Sequence, residues 1–222
     1  MSSENYTAVD EYFTDLFAAP DSIFEQVVQN CDAAELPAIS VTANQGKLLY
    51  LLTKIQRAQN VLELGTLGGY STIWMARALP DAGKLVTLEA EPTHADVAKT
   101  NFQLAGVSHK IDLRIGLALD TLPQIENENV GPFDLVFLDA DKPNNPHYFQ
   151  WAMKLAKPGA VIIADNVVRQ GEVVDANSTD ESVIGVRHLN NLMAAEPRFD
   201  VTAIQTVGSK GHDGFAIGIV KE

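Results

Sequence analysis

Apolar residues follow two rhythms along the 222-residue chain. Between 7 and 35, Val9, Tyr12, Phe13, Leu16 and Phe17, then Ile23, Val27, Val28 and Cys31, recur at roughly helical spacing broken at Pro20. After a bend at Pro37, Thr42 is placed to cap a third helix whose buried stripe is Leu48, Leu49, Leu51, Leu52 and Ile55. The rhythm then shortens. Five runs rich in Val, Ile and Leu, NVLELG, KLVTLEA, KIDLRIG, FDLVFLDA and GAVIIADN, read as strands, and the segments between them, 70–80, 92–106, 117–127 and 145–156, carry helical patterns. Such alternation predicts an open, mostly parallel α/β sheet. Beyond Asp165 come a polar loop (GEVVDANSTD), a helix near 181–196, and FDVTAIQTV and GFAIGIV, which the Gly-rich GSKGHDG joins into a terminal β-hairpin. No repeat or linker divides the chain, so a single domain over 1–222 is expected.

Composition narrows the functional classes. Hydrophobic residues make up 46% and charged residues 20%, ordinary globular values that exclude a low-complexity chain. No apolar run approaches the roughly 18–20 residues of a membrane span. The balance of 16 basic against 29 acidic residues gives −13, which repels phosphate and makes nucleic acid or an anionic membrane a disfavoured partner. The first thirty residues hold no Lys or Arg, the wrong charge for a leader, so a cytoplasmic protein is expected. The single Cys31 rules out an internal disulfide and reads as a small buried hydrophobe.

Ligands of a doubly wound sheet bind beyond the carboxyl ends of its strands, and here those ends are acidic: Glu63-Leu64-Gly65, Glu89, Asp139 and Asp165-Asn166. The first strand runs into GTLGGYS, where Gly65, Gly68 and Gly69 permit a sharp turn and Ser71 opens the next helix, an arrangement suited to a carboxylate or phosphate. Glu89, some twenty residues on, can accept both hydroxyls of a ribose; NAD and an adenosyl ligand satisfy this equally. Asp139, Asp165 and Asn166 converge as two carboxylates and an amide, which suits Mg²⁺ or Mn²⁺ with open positions. Lys142 follows Asp139 by three residues, and a dication in a partly dry pocket would make its amine available as a general base. The five histidines show no metal spacing, and no G-x-S-x-G elbow is present.

Taken in order, VTANQGKLLYLL, VLELGTLGGYSTIWMARALP, LEAEP, AGVSHKIDLRIGLALDTLP, FDLVFLDADK, ADN and VGSKGHDGFAIGIV resemble the cation-dependent class I S-adenosylmethionine O-methyltransferases of the caffeoyl-CoA and catechol group, over roughly residues 37–220. The resemblance implies a Rossmann-like, doubly wound seven-stranded sheet with an antiparallel last strand and helices on both faces. It implies S-adenosylmethionine as cofactor, with Glu63 and Gly65 near the methionine portion, Ser71 at its carboxylate, Glu89 at the ribose, Ala118 at the adenine, and Val41 and Thr42 closing over it. Asp139, Asp165 and Asn166 match the family's metal ligands, and Lys142 its proton-abstracting lysine. Where the family often has a tyrosine three residues beyond that lysine, this chain has Asn145. The implied reaction methylates a vicinal aromatic diol to an aryl methyl ether and S-adenosylhomocysteine (SAH). A homodimer is implied too, with residues 1–36 as lid or dimer contact. Three rivals are a tRNA hydroxyuridine methyltransferase, disfavoured by the charge, an NAD-dependent oxidoreductase, which leaves the Asp139, Asp165 and Asn166 trio unexplained, and a silent binding module.

Overall fold

The computed structural model describes residues 3–18 and 21–222. The sequence FDLVFL forms β4 (Phe133–Leu138), buried at every position because helices cover both faces of the sheet. It lies beside β1 (Asn60–Leu64), with β2 (Lys84–Glu89) and β3 (Ile111–Ile115) beyond, and beside β5 (Ala156–Asp165) on its other edge, all parallel. A hairpin of β6 (Phe199–Gly208) and β7 (Gly211–Val220) completes seven strands in the order β3-β2-β1-β4-β5-β7-β6, with β7 antiparallel to both neighbours. The expected doubly wound sheet is thus present. Strand order reverses between β1 and β4, the switch point at which such sheets take ligands.

Alternate residues of each strand feed two apolar layers. Leu62, Leu64, Val136, Leu138 and Ile162 pack with Leu122 of α6 (Ala118–Asn127), Phe149 of α7 (Asn145–Leu155) and Leu189 of α8 (Glu181–Ala195). On the opposite face Val61, Leu135, Phe137 and Ile163 meet Phe24 and Cys31 of α2 (Ser22–Ala33), Leu49 of α3 (Ala43–Ile55), Ile73 of α4 (Tyr70–Ala78) and Phe102 of α5 (Pro92–Leu104). Each fully buried Leu, Ile or Phe contributes about 1.5–3 kcal/mol, so both layers hold the switch point rigid. No helix among the described residues is long and apolar enough to cross a membrane.

Three local expectations are revised. Thr42 caps α3 as expected, its hydroxyl accepting from the Gln45 amide at 3.2 Å, but only Leu49 of the leucine stripe is buried, while Leu51 and Ile55 are 44% and 76% exposed. The core takes one face of α3: Tyr50 and Leu52 pack against it partly buried, while Leu51 and Ile55 stay outside. The Gly-rich segment is mostly strand: pairing continues through Val207 and His212 and leaves only Ser209-Lys210 as the turn, with Gly211 at φ +90°. Finally, β5 begins at Ala156 rather than Gly159, with a register shift opposite Phe133 and Leu135 that absorbs Pro158. The break at Pro20 lies outside the described residues. The helix before it, α1 (Ser3–Phe17), packs on α3 and β6 and leaves Val9, Tyr12, Phe13, Leu16 and Phe17 exposed.

Candidate active site

The turn after β1 is shaped by contact with its neighbour. Gly65 adopts φ +95°, and a Cβ there would strike the Asp139 carbonyl, so only glycine lets the two strand ends lie side by side. Backbone bonds fix them: Gly65 N–H donates to Leu88 O at 3.0 Å and Asp139 N–H to Leu64 O at 2.8 Å. Glu89 then holds the turn. Its Oε2 accepts from the amides of Thr66 (3.2 Å) and Leu67 (2.7 Å), its Oε1 from Glu91 (3.0 Å), and His94 Nδ1 lies 3.4 Å away.

A cavity of about 430 Å³ opens above these strand ends. Of the sequence-predicted residues, Val41, Gly65, Ser71, Glu89, Ala118, Asp139, Lys142 and Asn166 line it. Glu63 does not. It sits fully buried behind the turn, accepting from Ser71 Oγ (2.6 Å), Thr72 Oγ1 (2.5 Å) and Thr87 Oγ1 (2.7 Å). Burial pushes its carboxyl up to about 7, against the pull of those three hydroxyls. Thr42 and Asp165 line a second cavity, of about 710 Å³, together with Asn166, Gln45, Asp10 and the β6–β7 turn.

Between the two cavities lies the acidic group. The pairing of Leu138 with Ala164 sets Asp139 beside Asp165 at the ends of β4 and β5. Asp139 Oδ1 accepts from Lys142 Nζ at 2.8 Å. Asp165, 5% exposed, has its carboxyl pushed upward by burial and then by the nearby Asp139, while Lys142, the Asn166 amide and Gln45 pull it back. Asn166 adopts φ +58° directly after the strand, and both cavities reach it. Two carboxylates that disfavour each other's charge, plus an amide oxygen, form a hard-donor set fit for an octahedral dication. Among the described residues no three His, Cys, Asp or Glu side chains come together as a metal cluster, so this set consists of two carboxylates and an amide alone.

Several lining residues had no sequence signal, notably Leu67, Tyr148 and Arg169. Asn145 occupies the tyrosine position of the resemblance, and Tyr148 stands about one helical turn further along α7. Its hydroxyl donates to Asp141 Oδ1, and burial together with that carboxylate raises its pKa. Lys142 is held from behind, because Gly185 of α8 lets the Lys142 carbonyl approach where any Cβ would collide.

An α/β sheet with its cavity at the switch point, an acid holding the first turn and glycine at the strand junction is the fold of a class I methyltransferase. The family model for O-methyltransferases matches residues 15–214, and the chain belongs to that family. A catechol O-methyltransferase of Niastella koreensis is 49% identical over 221 residues, covering 100% of both chains. A catechol O-methyltransferase of Mycobacterium tuberculosis is 49% identical, covering 96% of this chain and 95% of its own. The crystal structure of an O-methyltransferase from Bacillus cereus in complex with SAH superposes with a TM-score of 0.98 at 56% identity, covering 99% of this chain and 100% of that one. The protein is therefore an enzyme, an O-methyltransferase that draws its methyl group from S-adenosylmethionine, and the oxidoreductase and silent-module rivals fall away.

Proposed function

We propose that this O-methyltransferase acts on a vicinal dihydroxy aromatic small molecule of the catechol, caffeoyl or flavonoid type, with Mg²⁺ or Mn²⁺ held by Asp139, Asp165 and Asn166. The observation that carries the reading is the register of β4 and β5, which sets two repelling carboxylates side by side between the two cavities, Asp139 lining the smaller and Asp165 the larger. Carboxylates so arranged are tolerated where a cation joins them. The two 49% identical relatives carry catechol O-methyltransferase as their name, which supports a diol acceptor. The charge of −13 supports a small molecule over tRNA.

Held by Asp139, Asp165 and Asn166, a dication would supply the Lewis acidity that lowers the pKa of the acceptor's hydroxyl, and S-adenosylmethionine would supply an electrophilic methyl. The chain does the rest. Glu89 accepts from the ribose hydroxyls, Ser71 and the start of α4 meet the cofactor's carboxylate, and Gly65, Ala118 and Val41 shape the walls around it. Thr42 acts from the neighbouring cavity, and Glu63 acts through Ser71 and Thr72. Lys142 Nζ takes the hydroxyl proton, and the walls hold oxygen and methyl in line.

The segment 1–36 serves as a lid on the second cavity, which Asp10 reaches, and its exposed aromatic face as the contact of a cytoplasmic homodimer. Light scattering of a Phe13→Ser, Phe17→Ser variant should give a monomer; a wild type that is monomeric refutes the dimer. For the main reading, excess chelator should abolish catechol methylation and Mg²⁺ or Mn²⁺ should restore it, leaving cofactor affinity by calorimetry unchanged. Full turnover in chelator refutes the metal.

A further inference from the structure

We propose that the acceptor carries a carboxylate in addition to its diol, and that Arg169 receives it; this rests on the diol reading and narrows it to acidic catechols. Arg169 follows Asn166 by three residues and lies in the partition that both cavities share. A non-glycine residue at φ +53°, followed by Gln170 at φ +56°, is held in a costly conformation, and the structure shows what holds it. Asp213 Oδ1 accepts from the amides of Val168 (3.2 Å), Arg169 (3.1 Å) and Gly214 (2.9 Å). The carboxylate nearest in this turn thus serves the backbone and leaves the guanidinium without a counter-ion.

One donor of the half-buried guanidinium is unsatisfied. Its Nε is buried and donates to no partner, and no carboxylate among the described residues forms an ion pair with it. Three other arginines of this acidic chain are paired: Arg77 with Asp21, Arg114 with Asp112 and Glu128, and Arg198 with Glu196. A buried N–H without an acceptor costs free energy, which a ligand returns by supplying the acceptor. The fork geometry of arginine matches an oxyacid. Asp139, Asp165 and Asn166 already provide for the diol end of the acceptor, so a group at the ring's other end is the one free to reach the partition. Lys210, on the exposed hairpin turn of the second cavity, adds a second cation on that side.

The test compares 3,4-dihydroxybenzoate, unsubstituted catechol and a dihydroxyphenethylamine, in wild type, Arg169→Gln and Arg169→Lys, each with cofactor affinity measured by calorimetry. Arg169→Gln should lower kcat/KM and binding affinity for the benzoate about 10- to 100-fold, the scale for a hydrogen bond to a charged group, and change catechol by less than about threefold. Arg169→Lys should recover part of the loss, and the amine should not suffer. Equal losses on benzoate and catechol, a change under threefold on the benzoate, or a parallel loss of cofactor affinity overturns the assignment. A loss confined to a caffeoyl-CoA conjugate makes Arg169 a phosphate contact and also overturns it. A wild type that methylates catechol but shows no preference for the benzoate refutes the carboxylate alone, whereas one that methylates no diol takes the diol reading down with it.

Discussion

The two cavities that meet at Arg169 are built by different means. The smaller one is made from the ends of parallel strands, and backbone bonds to Leu88 O, Leu64 O and the Glu89 carboxylate fix its walls. The larger one is assembled from pieces distant in sequence: Asp10 of α1, Asn44 and Gln45 of α3, and the Ser209-Lys210 turn. Its ties are side-chain bonds at the surface, such as Ser209 N–H to Asp10 Oδ2 at 3.1 Å and Asn44 Nδ2 to Asp10 Oδ1 at 3.0 Å. On the proposed reading, the sheet fixes the common part of the reaction, methyl donation, and the choice of acceptor rests on elements that can change without disturbing that sheet.

The largest test of this division is Lys142, which lines the smaller cavity beside Asp139. Lys142→Met removes the proposed proton acceptor and keeps the length, so kcat should fall about 10²- to 10⁴-fold with KM for S-adenosylmethionine nearly constant. Residual activity should grow as pH rises, because the substrate phenol then ionises unaided. A wild-type kcat at pH 7 would refute the role. Next comes Glu89→Ala, which removes the proposed ribose acceptor and frees the Thr66 and Leu67 amides; cofactor affinity by calorimetry should weaken by about 1.5–3 kcal/mol. An equal weakening of acceptor binding would blur the two cavities into one.

Glu63 probes the rigid side alone. Its folded pKa of about 7 lies above the 4.5 of an ordinary glutamate, so its contribution is fully present below about 4.5 and is lost as pH rises toward 7. Glu63→Gln should flatten stability between those limits and raise it at pH 8 by at most about 3 kcal/mol, read from urea midpoints. An unchanged pH profile would mean that the three hydroxyls already keep the carboxylate ionised. The smallest effect is expected at Asp10: Asp10→Ala should raise KM for the acceptor a few-fold, in keeping with exposed bonds worth about 0.5–1.5 kcal/mol, and leave cofactor affinity alone.

The same division governs what could be read from the sequence. Strand ends announce themselves: an apolar run halts at an acid, and parallel topology brings Gly65, Glu89, Asp139 and Asp165 to one edge whatever the loops do. Gly65 could be found because its φ and its contact with the Asp139 carbonyl admit no other residue. Arg169 and Tyr148 could not, since their relevance depends on where a turn and a helix direct their side chains. Asp10 was less legible still, because no local pattern tells a helix near the start of the chain that it will meet a hairpin 199 residues later. The stripe on α3 misled for a related reason: periodicity reports that one face is apolar, and whether the core covers it is decided by the neighbours.

The position of β7 has a consequence for how the molecule comes into being. It is the last described strand along the chain, yet it sits between β5 and β6 rather than at a margin. A nascent chain that has emerged only as far as β6 therefore has an open ladder on β5 and an orphan strand beside it, with no direct pairing between the two. Completion of the sheet waits for residues 211–220, and a ribosome that stalls before them releases a chain whose interior seam is unzipped, a substrate for chaperones and proteases.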